Sequence, residues 1–134
     1  MRTLLFACYW IGIIADAVAT VLLFSPAAAS LVLQPQPFEI SAAYLYVSRV
    51  AGGLMLGWTV LLFWGQLKPI ERADVLLMTL FPVVGTLAIA AILVVQSGQI
   101  SLSSILPMFV LYAVLLAMIL PAYVWSRKQP SATE

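Results

Sequence analysis

Residues 4–24 read LLFACYWIGIIADAVATVLLF, twenty-one residues that carry a single charge, Asp16. At about 1.5 Å of rise per residue such a run spans the roughly 30 Å hydrocarbon core of a bilayer. Three further runs have the same character: Ala42 to Trp64, Val75 to Gln96 and Ile105 to Trp125. Lipid offers no partner for backbone N–H and C=O groups, so these runs must close their hydrogen bonds internally as helices. None alternates as a barrel strand does. The expectation is an all-α membrane protein, a single domain over residues 1–134 built as an antiparallel bundle of four transmembrane helices.

The composition agrees. Of 134 residues, 64% are hydrophobic and 8% charged, against roughly one quarter charged in soluble domains. That balance excludes a water-soluble fold. The chain has no histidine, which removes imidazole-ligated haem, His-ligated zinc and His-based proton transfer within one chain. Cys8 is the only thiol; it has no intrachain disulfide partner and reads as a small packing residue. No cofactor and no metal site are expected. A net charge of +1 offers no basic surface for nucleic acid.

The breaks between spans are signalled locally. Ser25-Pro26 ends the first, and Pro35 and Pro37 interrupt the loop that follows. Gly65 and Pro69 bracket the turn after the second span, and Glu71 and Asp74 lie where negative charge favours a helix N-terminus. Gly98 closes the third. Ser104 is the expected N-cap of the fourth, with Pro107 in its first turn. Arg2, the apolar stretch and Ala27-Ala28-Ala29 imitate a signal peptide, but the stretch is longer than a signal core and holds Asp16, so it is read as a span.

Arg2, Lys68, Arg72, Arg127 and Lys128 fall at the N-terminus, the second loop or the C-terminus, and the first and third loops hold no Lys or Arg. This predicts cytoplasmic N and C termini, in a bacterial-type inner or plasma membrane. Trp64 and Trp125 then mark the inner interface, and Tyr44 and Tyr46 the outer one.

Two charges fall inside the spans, Asp16 and Arg49. Each costs about 2.5 to 3.5 kcal/mol near a helix centre, so each is a functional candidate. Counted inward from Phe24 and Ala42, they lie at comparable depths, about 12 and 10 Å. Arg49, Gly53 and Gly57 share a helix face, as do Gly12, Asp16 and Thr20; small residues there let helices approach closely. The sequence therefore predicts a buried Asp16–Arg49 salt bridge, flanked by Gly12, Gly53 and Gly57, that serves either as a helix register or as part of a ligand site. Glu39, Tyr44 and Tyr46 are candidates for its outer entrance. Pro82 should kink the third helix by removing a bond to the Met78 carbonyl, a candidate hinge. Ala113, Ala117 and Pro121 read as a packing face of the fourth helix.

Residues 11–20, IGIIADAVAT, resemble the first helix of the small multidrug-resistance transporters, four-helix proteins with an essential membrane carboxylate there. The resemblance covers about ten residues, places Asp16 where that family has Glu, and finds no counterpart in the later helices. It implies proton-coupled export with Asp16 as the exchangeable acid. Three functional classes follow: a non-enzymatic bundle that binds a lipid, a small apolar ligand or another membrane protein; a small proton-coupled transporter; and a membrane enzyme acting on a lipid or quinone. The bilayer is the constant partner, and a homo-oligomer is open.

Overall fold

A computed structural model describes residues 2–33, 41–98 and 100–128. Among these the only regular structure is helical. The first helix, α1, spans Arg2–Phe24, followed by a short α2 (Pro26–Leu33) and by α3 (Ala42–Gln66). The third span is continuous but changes pitch: α4 (Asp74–Met78), a π-helical segment (Thr79–Val84) and α5 (Gly85–Gln96). The last helix is α6 (Leu102–Ser126). Four helices are long and apolar enough to cross a membrane: Arg2–Phe24, Ala42–Gln66, Asp74–Gln96 and Leu102–Ser126.

The helix ends follow from local chemistry. Ser25 closes α1 through a backbone bond to Val21 and its Oγ then accepts the Ala28 N–H at 3.3 Å, so one serine ends one helix and caps the next, with Pro26 at the first position of α2. Ser41 caps α3 in the same way, its Oγ accepting the Tyr44 N–H at 3.1 Å. Gly98 has φ of 73°, the left-handed value that glycine adopts without strain, and ends α5 as expected. The fourth helix starts earlier than expected. Ser101, not Ser104, stands at its N-cap in extended conformation. Ser101 Oγ lies 3.0 Å from Ser103 Oγ and 2.9 Å from Ser104 Oγ, so these hydroxyls satisfy one another and Ser104 is free to be helical. Pro107 consequently falls beyond the first turn, inside α6.

Pro82 lies within the π-helical segment. The wider turn accommodates a ring that would otherwise meet the carbonyl four residues back. Threonine hydroxyls brace both sides: Thr79 Oγ1 donates to the Val75 carbonyl at 2.8 Å, and Thr86 Oγ1 to the Pro82 carbonyl at 2.5 Å.

The chain divides into two compact units, residues 1–9 with 65–134, and residues 10–64. In the first, α6 packs along α4, the π-helical segment and α5. Its core holds Leu76, Leu80, Ile105, Leu115, Ile119 and Ala122. The small stripe expected to pack on α6 does not: Ala113, Ala117 and Pro121 are exposed, and the buried stripe runs instead through Leu115, Ile119, Ala122 and Ser126. Leu5, Cys8 and Tyr9 are buried in this unit as well. Gly65 is helical here and serves packing, because a Cβ on it would lie 2.7 Å from Tyr9 Cε1. The Tyr9 hydroxyl donates to the Arg72 carbonyl at 2.7 Å. Beside it, Lys68 and Glu71 form an exposed ion pair at 2.9 Å and Tyr123 Oη donates to Asp74 Oδ1 at 2.9 Å.

The second unit is α1 from Trp10 onward, α2 and most of α3. Its contacts are specific: Ser48 Oγ donates to the Leu23 carbonyl at 2.5 Å, Phe24 lies against Gly52, and Leu62 against Gly12.

Candidate functional sites within the spans

The α1–α3 contacts move the two intramembrane charges apart. Ser48 and Gly52 meet Leu23 and Phe24, so Arg49 lies level with the last turn of α1. Asp16 is seven residues earlier than Leu23, about 10 Å deeper along the helix. The expected salt bridge is absent: among the described residues the ion pair is Lys68–Glu71, and Asp16 Oδ2 is buried without a hydrogen-bond partner. Counting inward from the ends of the apolar runs misleads here, because the first residues of α3 extend past the end of α1.

The face of α3 turned toward α1 also differs from the expected one. Gly53 and Gly57 are exposed, and a Cβ on either would have nothing within 4 Å. Gly52, one position earlier, is the close-approach glycine, where a Cβ would lie 3.0 Å from Phe24 Cε2. One residue turns a helix face by about 100°, so Ser48 and Gly52 are inward where Arg49 and Gly53 were expected. Gly12 does pack as the sequence suggests, though against Leu62, its would-be Cβ at 3.2 Å from Leu62 Cδ1. On the Asp16 face of α1, Thr20 is buried and donates its hydroxyl to the Asp16 carbonyl at 2.8 Å.

Of the expected entrance residues, Tyr46 is 71% exposed, Tyr44 half-buried, and Glu39 lies outside the described residues. No group of three His, Cys, Asp or Glu side chains converges among the described residues.

A second locus has no motif of its own in the sequence. Where the π-helical segment meets α6, a cleft of about 290 Å³ is lined by Leu80, Phe81, Val84, Ala88, Tyr112 and Leu116, with Gly85 and Ala113 as its small residues. Of these, Leu80 and Val84 are buried, while Phe81 and Leu116 are exposed. Tyr112 Oη is buried and has no hydrogen-bond partner. Its ring sits edge-on to Phe109, centroids 6.3 Å apart. The available signals are Pro82, which lies inside the π-helical segment, and a tyrosine set among apolar residues in the middle of α6.

Comparison with protein-family models, with characterised proteins and with solved structures finds no match.

Proposed function

We propose that this protein is a non-enzymatic four-helix membrane bundle, antiparallel with both termini in the cytoplasm, that binds an apolar molecule taken from the bilayer. The site is the cleft between the π-helical segment and α6, and the ligand is a lipid or a small apolar molecule carrying one hydrogen-bond acceptor. The observation that carries this reading is an apolar cleft lined by Tyr112, a residue whose hydroxyl is buried without a hydrogen-bond partner. A buried hydroxyl without a partner costs about 1–3 kcal/mol, which an acceptor on the ligand would recover once the Tyr112 side chain turns its hydroxyl into the cleft. At about 290 Å³ the cleft sits near the lower end of small-molecule sites, about 300 Å³, and suits an acyl segment or a compact ring.

Photolabelling with a diazirine-bearing fatty acyl probe in nanodiscs tests it. Labels should concentrate on Leu80 to Ala88 and on Tyr112 to Leu116, and Ala113→Trp should remove them by filling the cleft. Labelling spread evenly onto exposed residues such as Ile89 and Leu93, or unchanged by Ala113→Trp, refutes the site.

A second reading is favoured by a different observation. Asp16 Oδ2 is buried, has no hydrogen-bond partner and no guanidinium beside it. A carboxylate in that position suits reversible protonation, as a small proton-coupled transporter requires. Proteoliposomes carrying a proton gradient should then show substrate-dependent dissipation that Asp16→Asn abolishes; equal dissipation in both removes this reading.

A further inference from the structure

Arg49 is the one cation in the sequence of the second unit. Arg49 is exposed, and among the described residues it makes no ion pair or hydrogen bond. Its level is fixed by its neighbours, since Ser48 bonds the Leu23 carbonyl and Gly52 meets Phe24 at the point where α1 stops. Arg49 lies about 10 Å inside the start of α3 and level with the end of α1, a depth from which a long arginine side chain extends to the headgroups. The anion present there is the lipid phosphate, and a guanidinium binds phosphate through paired, charge-assisted hydrogen bonds.

Directly deeper on the same face lie Gly53 and Gly57, both exposed and both with open space where a Cβ would be. Val50, Leu54, Leu56 and Val60 stand exposed around them. The result is a cation within reach of the headgroups above a shallow apolar furrow that runs toward the membrane centre. We propose that this face holds a phospholipid, its phosphate on Arg49 and one acyl chain along Gly53 and Gly57. Tyr46 is exposed one turn nearer the headgroups and adds a hydroxyl there.

A glycine furrow would also accept a second helix. Arg49 argues against that occupant, because two copies inserted the same way and related by a two-fold axis bring both guanidinium groups to one depth, where like charges repel. The site lies in a different unit from the Tyr112 cleft and does not depend on it.

The experiment is native mass spectrometry of the full chain released from nanodiscs that contain phosphatidylcholine and a phosphate-free galactolipid in equal amounts. The wild type should retain one phosphatidylcholine in preference to the galactolipid. Arg49→Leu should lower that retention about tenfold, the scale of one charged hydrogen-bonded contact, and Arg49→Lys should lower it less. Gly53→Leu fills the furrow and leaves the charge in place; the position is exposed and a Cβ there has nothing within 4 Å, so the variant should unfold at the wild-type temperature while losing the lipid. Equal retention by wild type and Arg49→Leu overturns the proposal, as does equal retention of the galactolipid. If Gly53→Leu removes a crosslinked dimer and leaves the bound lipid, a second copy covers this face and the proposal fails.

Discussion

The glycines of α1 and α3 provide a direct test of which helix faces meet, through one alanine series at Gly12, Gly52, Gly53, Gly57 and Gly65. Gly65 should be the most sensitive. A Cβ there would stand 2.7 Å from Tyr9 Cε1 and 3.1 Å from its Oη, whereas ordinary carbon contacts lie at about 3.5–4.0 Å. The ring must therefore retreat by about 1 Å, yet Tyr9 is fully buried. That displacement stretches the 2.7 Å bond from Tyr9 Oη to the Arg72 carbonyl past the range of a useful hydrogen bond, a loss of about 1 kcal/mol. Overpacking adds about 1–3 kcal/mol, and the gain in helix propensity from glycine to alanine returns about 1 kcal/mol. The net destabilisation of Gly65→Ala is about 1–3 kcal/mol.

At Gly52 and Gly12 the neighbouring atoms are side-chain ends at 3.0 and 3.2 Å, so the two effects nearly cancel and changes stay within about 1 kcal/mol. Gly53→Ala and Gly57→Ala meet nothing and should be neutral or stabilising by up to about 1 kcal/mol. The assay is reversible unfolding in mixed micelles by titration with sodium dodecyl sulfate, followed by circular dichroism. If Gly53→Ala and Gly57→Ala destabilise while Gly52→Ala and Gly65→Ala do not, the face of α3 described above is wrong by one residue.

Two further outcomes follow from the same contacts. Ser48→Ala removes the hydroxyl bonded to the Leu23 carbonyl and should destabilise by about 0.5–1.5 kcal/mol in the same titration, while Ser48→Thr, which keeps a donor, should recover part of it. A double-mutant cycle with Asp16→Asn and Arg49→Gln should give a coupling within about 0.5 kcal/mol of zero, as for independent sites; a coupling above about 1.5 kcal/mol would reinstate the direct ion pair.

The four spans, the helix-breaking Ser25-Pro26 and the left-handed Gly98 were legible because each rests on a local rule: apolar length, a missing N–H, a positive φ. Ser104 failed as a cap because three serines lie within four positions, and local spacing does not say which of their hydroxyls will bond each other. The faces failed for a different reason. In water an amphipathic pattern points a helix toward its core, but lipid solvates Leu, Val and Ile as well as a neighbouring helix does. Only small and polar residues then carry directional information, and α3 offers two adjacent glycines, Gly52 and Gly53. The choice between them is made by Phe24 on the other helix and by the bond from Ser48 to Leu23, neither of which is periodic in the sequence of α3. Tyr112 gives no decisive sequence signal because its significance is an unmet hydrogen bond, a property of its surroundings.

Separating Asp16 from Arg49 changes what each charge demands. As a pair they would neutralise each other and leave no valence for anything else. Apart, each must be satisfied by something that is not the other. Arg49, level with the end of α1, would reach the headgroup region on the proposed reading, where an external anion would meet its need. Asp16, about 10 Å deeper, has an oxygen with no hydrogen-bond donor; it must take up a proton, recruit water or meet a cation. The same one-residue rotation that brings Ser48 and Gly52 inward thus replaces the expected ion pair by two separate charges at different depths. Substitution of either residue should accordingly alter the surroundings of one charge and leave those of the other intact, which a shared ion pair does not permit.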